Sequence, residues 1–236
     1  MEIKLESPKI LLSTTLLVTF LSLALTQASA QVLYDNGAPA LGSPNGVGFY
    51  ADTNSPVETE VGDVFTAPTS GTAAVINFSG IYYGYGAPGT LTPTTTDSFL
   101  ISLYALAPGA APSTADTPIT STVSDLTRTF LGLGNSKYIF SFSGVLDTPL
   151  TLTAGSTYYL GISDTTSPYE DFAVSATATP TSSTGYAIPA GATDFGAEGS
   201  APLSFSLATP EPKTWALGIM GIIALCVAGS RLRRTL

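Results

Sequence analysis

Apolar and polar positions alternate in short runs through the middle of the chain. Val75-Ile76-Asn77-Phe78-Ser79-Gly80-Ile81-Tyr82-Tyr83 is rich in β-branched and aromatic residues, a composition that fits a pleated, half-buried surface. In Ser98 to Leu106, Phe99, Ile101 and Leu103 share one face, with Ser98, Ser102 and Tyr104 on the other. Leu100 breaks that alternation, which predicts a strand covered on both sides. Tyr138 to Phe142 and Tyr158 to Ile162 alternate again, and Phe172 and Val174 share a face across Ala173. Leu203, Phe205 and Leu207 alternate with Ser204, Ser206 and Ala208, a one-sided pattern. Turn clusters such as Gly86-Ala87-Pro88-Gly89 and Ala107-Pro108-Gly109 punctuate these runs. No helical period is sustained between the two ends, and no internal repeat is visible. The pattern predicts an all-β domain. Its expected form is an antiparallel β-sandwich, jelly-roll-like, with a barrel as the alternative.

The two ends differ in kind. Lys4 and Lys9 precede an apolar stretch from Ile10 to Leu25, and Ala28-Ser29-Ala30 follows. Small residues at Ala28 and Ala30 are what signal peptidase accommodates, so residues 1–30 read as a signal peptide with Gln31 as the first mature residue. Glu2 and Glu6 dilute the basic start, and an uncleaved anchor is the alternative. Near the other end, Trp215 to Gly229 is an apolar run of fifteen residues. As a helix it covers roughly 22 Å, short of the ~30 Å hydrocarbon core. Trp215 at one interface and snorkelling Arg231, Arg233 and Arg234 at the other extend its reach. Basic residues stay cytoplasmic, which leaves the domain outside, as a cleaved signal peptide also would. The expected organisation is a signal peptide at 1–30, the extracellular domain at 31–207 and a tail at 208–236. Within the tail lie a motif at 210–215, a transmembrane helix at 215–230 and a basic end at 231–236.

Composition narrows the chemistry. Of the 236 residues, none is His, and the single cysteine, Cys226, lies inside the C-terminal apolar run. The domain therefore has no disulfide, no thiolate nucleophile and no Cys or His metal site. Between Gln31 and Thr209, fourteen acids stand against two bases, Arg128 and Lys137, for a net charge of −12. Such a surface repels phosphate backbones, so nucleic acid is not an expected partner.

The tail admits three classes of sorting signal. No LPxTG-like motif is present, and a GPI signal ends apolar where this chain ends basic. Pro210-Glu211-Pro212-Lys213-Thr214-Trp215-Ala216-Leu217, followed by the apolar run and the arginines, resembles the PEP-CTERM sorting tag, with Lys213 where Ser is commoner. The resemblance covers about twenty-five residues. It implies export in a Gram-negative bacterium that makes exopolysaccharide, with the chain as substrate of an exosortase, a membrane-embedded cysteine peptidase that cleaves near the tag. The implied route runs through an intermediate tethered in the inner membrane to the cell surface or the extracellular biofilm matrix. The order Leu33-Tyr34-Asp35-Asn36-Gly37, Gly62-Asp63-Val64-Phe65-Thr66, Asp97 to Tyr104 and Ala154 to Ile162 resembles extracellular domains that precede such tags. Tyr159 stands where Trp is frequent in them, and no activity is carried over from them.

The residues bear on three chemistries. Without histidine the usual general base is missing. A glycoside hydrolase would need only paired carboxylates, but the acids are scattered and mostly near turns, where solvated carboxylates are expected. The candidate residues for a structural calcium site are Asp164, Glu170 and Asp171, read as a loop after the Tyr158–Ile162 strand. Asp63 and Asp97 read as strand-edge acids. Turn capping is the plainer role for all of them, and no other cofactor is expected. A carbohydrate-binding module would use exposed aromatic faces. Tyr82, Tyr83 and Tyr85 form the densest cluster, and Tyr50 and Tyr169 are further candidates. The plainer role is Tyr filling strand positions. Asn77-Phe78-Ser79 is a formal glycosylation sequon in mid-strand, and nothing is read from it. The leading expectation is a non-catalytic surface or matrix protein associated with exopolysaccharide. N-terminal sequencing of the exported protein should begin at Gln31; a chain that still starts at Met1 would rule out the cleavage.

Overall fold

The alternating runs form one antiparallel β system. The computed structural model describes residues 30–41, 49–50, 58–83, 97–134, 137–165, 171–178, 185–189, 194–199 and 202–210. Among these are twelve strands and no helix. They are β1 (Val32–Asp35), β2 (Phe49–Tyr50), β3 (Glu58–Thr66), β4 (Gly71–Tyr83), β5 (Phe99–Leu106), β6 (Ile119–Gly134), β7 (Lys137–Leu152), β8 (Thr157–Asp164), β9 (Asp171–Val174), β10 (Gly185–Pro189), β11 (Gly196–Gly199) and β12 (Phe205–Ala208). Hydrogen bonding runs in the order β1-β12-β4-β7-β6-β5-β8-β3-β10-β11, while β9 pairs with β4 and β2. Two units are distinguished along the chain: Val32–Pro210, and Met1–Gln31 with Glu211–Leu236. Beyond Ala30 and Gln31 the second unit lies outside the described residues, and with it the signal-peptide and sorting-tag expectations. Among the described residues no helix is long and apolar enough to cross a membrane.

β6 links the two halves of the strand order. Residues 119–122 pair with β5, and from Val123 onward the same strand pairs with β7. Its register shifts between Ser124 and Thr127 and again between Phe130 and Gly132, with Asp125 at φ 48°. Each bulge adds an unpaired residue and inverts the in–out phase. That is why a strand of 16 residues shows no sustained alternation in the sequence.

The core is built from one face of the strands. Ile76 and Phe78 of β4, Phe142 of β7, Phe99 and Ile101 of β5, and Ile162 of β8 are buried together, with Phe172 of β9. Phe78 stacks on Phe142 at 5.1 Å between ring centroids and meets Phe99 edge-on at 4.8 Å. Phe99 lies 4.9 Å from Phe172. Tyr34 and Phe65, at 4.3 Å, and Phe205, 5.3 Å from Tyr34, make a second aromatic group. Beyond area burial, each such pair contributes about 0.5–1.5 kcal/mol.

β5 is covered on both faces, as Leu100 implied: Ser102 and Tyr104 are buried along with Phe99, Ile101 and Leu103. The one-sided expectation for Leu203–Ala208 is corrected. Ser204 and Ala208 are buried too, because two neighbouring segments lie against Ser204: its N–H donates to Ser175 O at 2.8 Å and its hydroxyl to Gly37 O at 2.8 Å.

A polar pin joins three distant segments inside this apolar setting. Asp63, with no exposed surface, accepts hydrogen bonds at Oδ2 from Asn36 Nδ2 (2.8 Å) and from the backbone N–H of Leu203 (2.7 Å). Asn36 Nδ2 also donates to Leu203 O at 2.8 Å, and Asn36 Oδ1 accepts from the Tyr34 hydroxyl at 3.0 Å. Burial, then the negative charges of Asp63 and Asp35, push the Tyr34 phenol up to about 12. The expectation of Asp63 as a strand-edge acid is corrected: it sits inside β3 and ties Asn36, just after β1, to Leu203, two residues before β12. Asp63→Ala would leave the Leu203 N–H without its acceptor and the Asn36 amide with only Leu203 O, at a cost of about 2–4 kcal/mol. Urea unfolding should show the lowered midpoint; an unchanged midpoint would mean the network holds nothing.

Candidate functional site

Opposite the core, β12, β4, β7 and β6 carry small polar side chains in two rows. Asn77 and Ser79 alternate with the buried Ile76 and Phe78, so they point to the other face. Register aligns Ser206 with Asn77, Asn77 with Ser143, and Ser143 with Thr127. In the second row Ser79 pairs with Ser141 and Ser141 with Thr129, while the Ser79 N–H donates to Ser204 O at 3.0 Å. The first row crosses four strands, about 14 Å, and the second three; they lie about 7 Å apart along the strands. Thr127 and Thr129 are exposed, and Asn77, Ser141, Ser143 and Ser206 are half-buried.

One end of this face deepens into a groove of about 220 Å³, lined by Asp35, Gly37, Asn77, Ser79, Ser141 and Ser206 among others. The turn that walls it is set by Gly37, whose φ of +97° is a conformation L side chains rarely adopt. The Gly37 N–H donates to Asp35 Oδ1 at 2.8 Å, and Asn36 is anchored below by Asp63. The pin described above thus also positions the groove.

A second polar site lies on the outer face of β3, β8 and β5. Register brings Gly62 beside Gly161 and Gly161 beside Ser102. The Glu60 carboxyl lies over Gly161, where even a methyl group would overlap Oε1. Glu60 is 7% exposed; Oε2 accepts from Ser102 Oγ at 2.7 Å, and Oε1 has no hydrogen-bond partner among the described residues. Burial pushes this carboxyl from 4.5 up to about 7, and the Ser102 hydrogen bond opposes the rise only in part. Tyr104, Tyr159 and Phe195 pack beside it with ring centroids 5.0–5.6 Å apart. Burial and then the Glu60 charge raise the Tyr104 phenol to about 12 and the Tyr159 phenol well above its usual value.

Most of the expected site residues lie outside the described residues. Tyr82 and Tyr83 close β4, where they pair with Phe172 and Asp171. Their side chains, and Tyr85 altogether, lie outside the described residues. Asp164 ends β8 with 1% exposure and Asp171 opens β9, which corrects the single-loop reading; Glu170 lies outside the described residues. Among the described residues no three acids group as a cation site would need. The expectation that the acids are solvated turn residues is corrected for Glu60, Asp63 and Asp164, all buried. Glu60 and Asp63 are three apart on a strand and so face opposite sides of the sheet. Asp63 and Asp164 share a face, but Asp63 is in register with Leu160, so about 13 Å of strand separates them. That exceeds the roughly 5–9.5 Å of a glycosidase pair. The sequence left no signal for the hydroxyl rows beyond polar alternation, and none for Glu60 beyond the glycines at 62 and 161.

Comparison of the chain with protein-family models, curated proteins and solved structures gives no match.

Glu60 makes stability depend on pH. A carboxyl raised by folding stabilises the native state fully below its unfolded value of 4.5 and loses that contribution as pH climbs to about 7. Glu60→Gln keeps the shape and removes the titration. The variant should be more stable than wild type at pH 8, by up to about 3 kcal/mol, and level with it at pH 4. Parallel unfolding curves at both pH values check this; a difference independent of pH would be evidence against a buried titrating carboxyl.

Proposed function

We propose that this chain is an exported, non-catalytic protein of the cell surface or extracellular matrix, sorted by an exosortase-type system and associated with exopolysaccharide. The observation that carries the reading is the tail. Pro210-Glu211-Pro212, Thr214-Trp215, the apolar run and Arg231, Arg233 and Arg234 occur together in the order a PEP-CTERM tag requires. Signal peptidase acts at Ala30–Gln31, the C-terminal helix tethers the intermediate in the inner membrane, and exosortase acts near Pro210–Trp215. The domain is read as a jelly-roll-like β-sandwich. In support, inward side chains of β4 and β7 meet those of β5 through the Phe78–Phe99 and Phe99–Phe142 contacts, as in two sheets packed face to face. The separated placement of Glu60, Asp63 and Asp164 favours binding or display over carboxylate-pair hydrolysis.

The test is the C-terminal mass of the exported protein in strains with and without an intact exosortase. Loss of the segment beginning near Pro210–Trp215 only in the intact strain is the expected result. A chain ending at Leu236 in both strains would reduce the tail to a plain membrane anchor.

A further inference from the structure

We infer that Asn36-Gly37 is a modification site gated by the fold. The Asn36 amide is locked while the domain is native, is lost as ammonia when the domain opens, and cannot be restored by refolding. Asn followed by Gly is the dipeptide most open to this chemistry, because glycine lets the backbone fold back on the amide carbon without a side-chain clash. The Gly37 nitrogen attacks Asn36 Cγ. The N–Cγ bond forms, the Cγ–Nδ2 bond breaks, and the proton given up by the Gly37 nitrogen leaves with the amide as ammonia. Water then opens the five-membered imide, giving Asp or its isomer with the main chain running through the β-carbon.

The native geometry opposes each part of that step. Asn36 is 5% exposed. Its Nδ2 donates to Asp63 Oδ2 and to Leu203 O, both at 2.8 Å, so both hydrogens of the leaving amide are held. Its Oδ1 accepts from the Tyr34 hydroxyl at 3.0 Å, and its backbone N–H donates to Phe205 O at 2.9 Å. The nucleophile is committed as well: the Gly37 N–H donates to Asp35 Oδ1 at 2.8 Å. A carboxylate on that hydrogen makes loss of the proton harder, since the charge developing on nitrogen is of the same sign. Ring closure must therefore break contacts to β3, to Leu203 and to Asp35 together.

The product does not fit the site that the amide leaves. An Asp at position 36 accepts where Asn36 donates, and it faces Asp63 Oδ2 and Leu203 O, which are acceptors too. Two carboxylates at that separation, one of them with no exposed surface, cannot both stay ionised. The isomer also lengthens the main chain by one atom, in a turn that Gly37 sets with φ +97°. Without a disulfide to hold the segments together while they are apart, an opening that lasts long enough becomes permanent.

The experiment is peptide mapping by mass spectrometry of the full chain in detergent, incubated at mildly alkaline pH with and without urea. Asn45-Gly46, the chain's other Asn-Gly pair, lies outside the described residues and reports the unfolded rate in the same urea digest. In urea, Asn36 and Asn45 should convert together; in native buffer, Asn36 should stay intact over the same time. Asp63→Ala in native buffer should convert Asn36 about tenfold or more faster than wild type. If that variant does not fold, Asp63→Asn keeps the shape, replaces the charge-assisted acceptor by a neutral one, and should also convert faster. Asn36→Asp, standing for the product, should unfold at a clearly lower urea concentration than wild type. Conversion of native wild type at the unfolded rate overturns the inference, as do folded Asp63 variants that convert no faster than wild type. So does an Asn36→Asp midpoint equal to that of wild type.

Discussion

Asp63 has no exposed surface, yet it is where three distant parts of the chain meet. Its carboxylate is held by the Asn36 amide and the Leu203 N–H. Apolar packing alone would not fix these segments. β1 and β12 are four residues each, and their pairing already contains a register irregularity between Val32 and Tyr34. Hydrophobic contact is non-directional and tolerates sliding, whereas hydrogen bonds to a buried carboxylate fix one alignment. The same bonds hold the Asp35–Ala38 turn against β12. The groove on the outer face therefore depends on a network buried on the inner one.

The strands were legible where alternation survived. Phe99, Ile101 and Leu103 face the core as their spacing indicated, and Tyr158 to Ile162 and Phe172 to Val174 lie in β8 and β9. β6 was not legible, because its bulges at Ser124–Thr127 and Phe130–Gly132 reverse the phase within one strand. Ser204 was misread because burial of a small hydroxyl by a crossing segment leaves no mark on local periodicity. Glu60 and Asp63 were hidden for a related reason. Acids in a turn-rich chain are solvated by default, and their burial depends on partners 27 to 140 positions away. Asn36 and Asp63 fell within sequence segments already singled out by resemblance, but nothing local joined one to the other.

The domain must also hold without a disulfide, since the only cysteine is Cys226. Its cohesion comes from aromatic contacts between residues distant in sequence. Phe78, Phe99, Phe142 and Phe172 lie on four different strands and contact one another directly. Such a core forms only after long-range pairing. The buried Glu60 adds a local cost above neutral pH, accepted on the side of the sheet away from these rings. The two carboxylates of β3 thus act differently: Asp63 accepts two hydrogen bonds at Oδ2 and fixes register, while Glu60 accepts one from Ser102 and ties stability to protonation.

The shallowness of the hydroxyl face bears on how a surface protein could use it. A groove of about 220 Å³ lined mainly by small polar side chains offers any one ligand unit few contacts. Affinity for a polymer does not depend on one residue, because repeated units bring each further contact at high effective concentration. Under the proposed surface display, many copies on one cell multiply the effect again. Under the proposed reading the tail supplies the copies at the surface and the sheet supplies the weak repeated contact. Neither alone would retain a matrix polymer.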